Sequence, residues 1–155
     1  MNLASLLTVD QIIPRMTATG HEEAIVELVD HLVQRDLVQR GDREEILQSL
    51  QERESKISTG IGSGVAIPHA FSGTAEKVVA VFGRSEEGID FEALDNAPVH
   101  NIVLFIVPKK EYHLHLQTLA AIAKLFTNRE VRKNLANATS REEIHEIFAS
   151  RPARA

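Results

Sequence analysis

The segment from Val99 to Val107 is the most apolar of the chain, and its core, Ile102-Val103-Leu104-Phe105-Ile106-Val107, leaves no polar residue to turn toward water on either side. A run of this length, rich in β-branched residues and stopped by Pro108, predicts a central strand covered on both faces. Val78, Val79, Ala80, Val81 and Phe82 make a second buried strand within Lys77 to Gly83, with Gly73 before it and Gly83 after it as bounds. Such strands require helices above and below them.

Those helices are announced by their start signals. Thr19 with Glu22 forms a capping box ahead of Ala24, Ile25, Leu28, Val29, Leu32 and Val33, one apolar stripe running to about Arg35. Gly41 closes the linker Asp36 to Gly41, and Asp42 with Glu45 opens a second helix through about Arg53, with Ile46, Leu47 and Leu50 as its buried stripe. A third helix is predicted from about His113 to Phe126, carrying Leu116, Leu119, Ile122, Ala123 and Phe126 on one side. Thr127 or Asn128 caps a short helix through Leu135, and Ser140 with Glu143 caps a last one with Ile144, Ile147 and Phe148. Leu3 to Ile13 reads as a helical turn followed by an extended piece, and Gly88 to Phe91 as a turn leading into another. The sum is an α/β layered domain without internal repeats.

Ser58 to Ala70 breaks this pattern and reads Ser-Thr-Gly-Ile-Gly-Ser-Gly-Val-Ala-Ile-Pro-His-Ala. Gly60, Gly62 and Gly64 permit backbone shapes closed to other residues and a close approach by another molecule. Val65 to Ile67 is long enough only for a strand, and Pro68 keeps Ile67 extended, so His69 stands on a stiff support. An imidazole with an unperturbed pKa of roughly 6.5 is largely a neutral nucleophile near pH 7, which suits phosphoryl transfer. The glycine loop can aim N–H groups at phosphoryl oxygens in the manner of a backbone anion nest. The same residues also suit a structural histidine in a turn.

Two further features bear on that chemistry. Arg53 and Lys56 fall at a helix end, where cations complement the carbonyl dipoles, and Arg53 can alternatively lean toward the glycine loop and meet phosphoryl oxygens with its planar fork. Tyr112-His113-Leu114-His115-Leu116 brings two histidines to the point where a strand hands over to a helix. One residue apart, they cannot easily chelate an ion together, so a metal site needs a third ligand from elsewhere. A histidine in the helix's first turn lies close to unpaired N–H groups that favour an anion. His21 and His31 are expected to be solvated, and His100 and His145 to be structural.

Composition narrows the function classes. The 155 residues suit one domain, and 17 basic against 22 acidic side chains give a formal charge of −5, with no general attraction to nucleic acid or an anionic membrane. Cysteine is absent, which excludes disulfides, thiolate metal sites and a cysteine nucleophile. No apolar run reaches a membrane span and no signal peptide is evident, so the cytoplasm is the expected compartment. The tail Ser150 to Ala155 is expected to fray.

The stretch Ser58 to Ala70, with the later His115-Leu116-x-x-Leu119 and with Arg53 upstream, resembles the enzyme IIA domain of the bacterial phosphoenolpyruvate-dependent sugar phosphotransferase system, mannitol/fructose class. The resemblance covers roughly Leu3 to Ala149, and the helix through Val33 is similar to the nitrogen-regulatory branch. It implies a single domain over residues 1–149 with a mixed β-sheet and helices packed on both faces, a three-layer α/β/α fold. It also implies His69 as phosphoryl acceptor, His115 as hydrogen-bond partner of the phosphoryl group, Arg53 as its charge partner, and Thr59, Gly60, Gly62 and Gly64 as the phosphoryl loop. A register slip of two residues exchanges the roles of His115 and His113. Ala70 stands where the nitrogen-regulatory branch often has glycine.

No cofactor or metal is implied, and the partners are an HPr-like phosphocarrier and an enzyme IIB-type acceptor or a regulatory target. Ile61, Val65 and Phe71 are candidates for an apolar ring that receives them. Two other readings are a regulatory binding protein of the nitrogen branch, which controls a kinase or ion transporter through the state of His69, and a metal-dependent hydrolase using His69, His115 and an acidic residue.

Overall fold

The computed structural model describes residues 3–56 and 58–150. Six strands form one sheet: β1 (Ile12–Ile13), β2 (Gly60–Gly62), β3 (Val65–Ala66), β4 (His69–Ser72), β5 (Val79–Ile89) and β6 (Val99–Pro108). Their order is β1-β5-β6-β3-β2, with β4 also paired to β6. β5 and β6 are antiparallel, as are β2 and β3, whereas β1 on β5, and β3 and β4 on β6, are parallel. The sheet is therefore mixed.

Alternation along β6 divides the core in two. Ile102, Leu104 and Ile106 face α2 (His21–Gln34) and α3 (Arg43–Lys56), packing with Leu28, Leu32, Ile46 and Leu50. Val103, Phe105 and Val107 face the other layer, where α1 (Leu3–Leu6), α4 (Tyr112–Phe126), α5 (Arg129–Asn137) and α6 (Arg141–Ser150) contribute Leu3, Ile122, Phe126, Leu135 and Phe148. A strand whose successive side chains point to opposite faces can be apolar throughout only if both faces are covered. This is the three-layer α/β/α arrangement that the central segment predicts.

Several local readings change. β5 continues six residues past Gly83, because this glycine marks a close approach rather than a stop: a Cβ there would lie 2.5 Å from Met16 Sδ and 2.9 Å from a Leu28 methyl. Gly88 and Ile89 finish the same strand across a register shift instead of making a separate turn. Helix α2 is capped by Gly20 with no side-chain bond, and the expected Thr19–Glu22 box is replaced by Glu27, which accepts from the N–H groups of Thr17 and Ala18 at 3.1 and 2.8 Å. α3 runs to Lys56, beyond the expected end at Arg53.

Leu116, expected on the buried side of α4, is 43% exposed. Leu119, Ile122, Ala123 and Phe126 face the core as expected, but in the first turn His115 takes the inward place and Leu116 turns out to solvent. Asn128 caps α5 as expected, accepting from Val131 N at 3.1 Å. At α6, Ser140 Oγ accepts from Glu143 N at 3.2 Å, but the Glu143 carboxylate turns to Thr139, so only half of the expected box forms. Ser150 ends α6, and residues 151–155, the rest of the expected tail, lie outside the described residues. Among the described residues no helix is long and apolar enough to cross a membrane.

One buried cation ties the far end of the sheet together. Arg84 is 7% exposed and donates from Nε to Pro14 O at 2.8 Å and from Nη1 to Leu135 O at 2.7 Å and Ala138 O at 2.6 Å, closing the end of α5. Arg84→Met keeps the apolar stem but leaves these carbonyls without donors. The variant is expected to lose about 2–4 kcal/mol in denaturant unfolding, whereas a loss below about 0.5 kcal/mol contradicts this role.

Candidate functional site

The strand beside β6 is one strand broken at proline, β3 before the break and β4 after it. β3 pairs Val65 with Asn101 and Ala66 with Ile102, and β4 resumes with His69 opposite Phe105, in the same register on both sides of the break. Proline has no N–H for the ladder, so Pro68 interrupts the pairing, and its carbonyl accepts from Phe105 N at 2.9 Å. Ile67 N leaves the ladder too and donates to Thr59 O at 3.0 Å. His69 is thus the first residue after the break, half-buried, on an edge strand that α3 packs against.

The glycine loop is the hairpin of β2 and β3. Gly62, Ser63 and Gly64 all have positive φ, at 95°, 60° and 76°, a left-handed turn that glycine adopts without strain. The carbonyl of Gly64 accepts from His100 N at 2.8 Å and Asn101 N at 2.9 Å. The segment before β6 covers the hairpin: Leu94 N donates to Gly60 O at 3.2 Å, and a Cβ on Gly60 would lie 2.8 Å from Ala93 Cβ and 3.0 Å from Ala93 Cα.

Three of the loop's N–H groups are already taken. Thr59 N donates to Glu54 Oε2 at 3.2 Å, Gly60 N to Ser58 Oγ at 3.0 Å, and Ser63 N to Asp95 Oδ2 at 3.0 Å. The N–H groups of Ser63, first, and Ala97 hold the Asp95 carboxyl below its usual range. These donors fix the shape of the loop. Of the expected phosphoryl loop, Thr59, Gly60, Gly62 and Gly64, the N–H groups of Thr59 and Gly60 are thus bonded within the protein.

The His69 ring is oriented by its own backbone. Nδ1 lies 3.0 Å from Ile67 O. A carbonyl can only accept, so Nδ1 carries the proton and Nε2 keeps the lone pair of the neutral ring. Burial pushes the His69 pKa down, the Ile67 carbonyl pulls it up, the Arg53 charge pushes it down and the Glu54 charge pulls it up; the net result lies below the ordinary histidine value. Phe71 stands edge-on to the ring with centroids 6.0 Å apart. Arg53 and Glu54, in the last turn of α3, are therefore the charges that His69 feels.

His115 and His113 are separated by the helix. His113 is exposed, while His115 is 8% exposed, with Nε2 3.0 Å from Glu111 Oε2 and Nδ1 buried without a partner. Since the carboxylate accepts, Nε2 carries a proton, and Nδ1 donates only when both nitrogens do. His69 and Phe71 point to the same face of the sheet as α4, the helix that carries His115, and Phe71 and Leu119 both pack against the core of that layer. His69 and His115 are not hydrogen-bonded to each other.

Some candidates fall away and others enter. Val65 is fully buried and gives no contact surface, because it faces the α4 layer of the core; Ile61 and Phe71 remain half-buried. His21 is not solvated: Nε2 lies 2.9 Å from Glu54 Oε2, and its ring packs on Phe91 with centroids 4.0 Å apart. His31 Nε2 bonds to Asp10 O at 2.7 Å. His100 Nδ1 on Ser85 O and His145 Nε2 on Ala4 O, each at 2.9 Å, are structural as expected.

Glu54 and Glu111 were absent from the sequence-derived candidates. Glu111 stands one helical turn before His115, a spacing that sequence shows. The meeting of Glu54 with His21 is long-range and has no local signature. Among the described residues no group of three or more histidine, aspartate or glutamate side chains is placed to hold a metal ion. A cavity of about 400 Å³ lined by Val38, Asp42, Ile46, Ser72 and Val79 does not include His69.

Comparison with known proteins fits this geometry. Residues 5–151 match the family described as "Phosphoenolpyruvate-dependent sugar phosphotransferase system, EIIA 2", and the chain belongs to that family. It is similar to a fructose-specific EIIA component of the same system from Haloferax volcanii, with 37% identity over 128 residues that cover 83% of this chain and 82% of that protein. It is also similar to the crystal structure of the nitrogen regulatory protein IIA-Ntr from Neisseria meningitidis, with a TM-score of 0.85 at 27% identity over 94% of this chain and 98% of that one. A solution structure of enzyme IIAMTL in complex with phosphorylated enzyme IIBMTL from Escherichia coli gives a TM-score of 0.74 at 25% identity over 92% of this chain and 96% of the matched chain. The chain is thus a phosphoryl-transfer component of the EIIA type.

The electrostatics predict a measurable titration. The His69 ring is expected to titrate below roughly 6.5 in NMR, and Arg53→Gln to move it upward by removing a positive charge. A midpoint at or above the ordinary value in the unsubstituted protein, or no change with Arg53→Gln, contradicts the placement of Arg53.

Proposed function

We propose that the protein is a phosphoryl carrier in which His69 Nε2 takes the phosphoryl group from the phosphohistidine of an HPr-like donor and passes it to an enzyme IIB-type acceptor. The observation that carries the proposal is the His69 ring, held through Nδ1 by Ile67 O with Nε2 left as nucleophile, half-buried beside the Arg53 charge. In the first transfer the Nε2 lone pair forms an N–P bond as the donor's N–P bond breaks and its electron pair returns to the donor imidazole. The second transfer reverses these roles with the acceptor's nucleophile. No proton has to leave His69, because Nδ1–H stays on the carbonyl and balances part of the charge.

Positioning and charge stabilisation supply the catalysis such a transfer needs. Arg53 offsets the negative charge of the group, and His115, when both its nitrogens are protonated, donates to it from Nδ1. An open edge strand suits a reactant delivered by another protein better than an enclosed cavity does. Ile61 and Phe71 form the apolar part of the docking surface, joined by Leu116 at 43% and Leu94 at 72% exposure. The IIB-type acceptor is supported by the similar enzyme IIAMTL, whose structure is a complex with phosphorylated enzyme IIBMTL.

A regulatory role through the His69 phosphorylation state is supported by similarity to the nitrogen regulatory protein. It uses the same site and the same first transfer. A pull-down comparing His69→Ala with the phosphorylated protein tests it: different partner sets support a switch and identical sets oppose it.

Incubation with a phosphorylated HPr-like donor is expected to place acid-labile phosphate on the protein, and His69→Ala to abolish the label while leaving the thermal unfolding midpoint nearly unchanged. Label that persists in His69→Ala contradicts the assignment. Because only the neutral ring has the Nε2 lone pair, the acceptance rate is expected to fall as pH drops through the lowered His69 pKa. A rate that rises on acidification from pH 7 to 5 contradicts this. Phe71→Ser is expected to raise KM for the donor by roughly tenfold, and an unchanged KM removes Phe71 from the docking surface.

A further inference from the structure

Glu54 occupies a position that helix physics disfavours. It lies in the last turn of α3, where the carbonyl end of the dipole repels an anion, and its side chain is 6% exposed. A carboxylate is stable in such a place only when it is paired and hydrogen-bonded. Burial opposes its ionisation, but His21 and the two Thr59 donors outweigh burial and hold its carboxyl below the usual range. Thr59 gives it both the backbone N–H, at 3.2 Å, and the hydroxyl. His21 Nε2 stands 2.9 Å from Oε2 on the other side, a close neighbour without hydrogen-bond geometry.

The bonds continue from there to the reactive ring. Thr59 O accepts from Ile67 N at 3.0 Å, and Ile67 O accepts from His69 Nδ1 at 3.0 Å. Ile67 and Pro68 have no paired residue on β6, where Pro68 keeps only the bond its carbonyl accepts from Phe105 N, so Thr59 supplies the support for the Ile67 N–H. The flank is tied as well: Ser58 Oγ donates to Phe91 O at 2.5 Å and accepts from Gly60 N at 3.0 Å, and Phe91 carries the His21 ring. Glu54 therefore anchors a relay, Glu54 to Thr59 to Ile67 to His69, that runs through backbone groups and ends on the nitrogen opposite the nucleophile.

We propose that Glu54, braced by His21, is a positioning residue for phosphoryl transfer: it sets the orientation of the His69 ring through Thr59 and Ile67 without touching the phosphoryl group. This rests on the phosphoryl-carrier reading for its kinetic consequence, but the geometry it asserts exists in the unphosphorylated protein. Misplacing a nucleophile by about 1 Å lowers the rate on the order of a hundredfold while leaving docking intact. The signature is a fall in the turnover term with KM retained.

The experiment compares Glu54→Ala, Glu54→Gln and Thr59→Val in the full chain. With a phosphorylated HPr-like protein as donor, Glu54→Ala is expected to lower kcat on the order of tenfold to a hundredfold with KM within about twofold. Glu54→Gln keeps an oxygen that accepts from Thr59, so it is expected to recover roughly tenfold of that loss. Thr59→Val removes only the hydroxyl, is expected to show a smaller change of the same kind, and keeps the test alive where Glu54→Ala fails to fold. In parallel, NMR of the unphosphorylated proteins reads the exchange of the His69 Nδ1–H and the Thr59 amide, both expected to quicken in Glu54→Ala. Unchanged kcat in Glu54→Ala, a rise in KM at constant kcat, or unchanged exchange at both protons overturns the proposal. If the unsubstituted protein accepts no phosphate, the carrier reading falls, and the exchange measurement alone still decides the role of Glu54.

Discussion

The structure turns on the parallel pairing of a broken strand with β6. Val65 and Ala66 pair ahead of the break and His69 to Ser72 behind it, all in one register, so β6 aligns the two pieces as if they were continuous. Pro68 makes the interruption unavoidable, because its nitrogen has no proton to give. The gap frees Ile67 to bond sideways, its N–H to Thr59 and its carbonyl to His69. The His69 ring is thus held by main chain, which has far fewer ways to relax than a side chain would.

Everything else in the fold serves to keep β6 and its edge in place. β6 is apolar on both sides because both sides are packed, with α2 and α3 on one face and α1, α4, α5 and α6 on the other. α3 brings Arg53 and Glu54 to the edge, one charge of each sign, so His69 lies between a cation that lowers its pKa and an anion that raises it. A carrier needs such a balance. A site with cations alone would bind a phosphoryl group too firmly to release it, and one with anions alone would reject it.

The layered architecture was legible because its determinants are local or periodic: the apolar run of β6, the stripe of α2 and the cap at Asn128 follow from neighbouring residues. His69 could be proposed for the same reason, since glycines, proline and histidine lie within one short stretch. Gly83 was misread because a glycine that ends a strand and one that admits a methionine from another element look alike in one dimension. Only the start of the α4 stripe was misread, where His115 points inward and Leu116 outward. The acceptors of the Thr59 and Ser63 N–H groups, Glu54 and Asp95, were not legible because they belong to α3 and to the segment before β6. His21 meets Glu54 across more than thirty residues of sequence, a contact made only by the tertiary fold.

The central claim is that the Ile67 carbonyl leaves a single nitrogen of His69 free to react. The position of phosphorus on the ring tests it most directly, read by heteronuclear NMR of the nitrogen-labelled phosphoprotein through the coupling between phosphorus and the ring nitrogens. Phosphorus on Nε2 of His69, with Nδ1 still protonated, is the predicted result; phosphorus on Nδ1 would contradict the account.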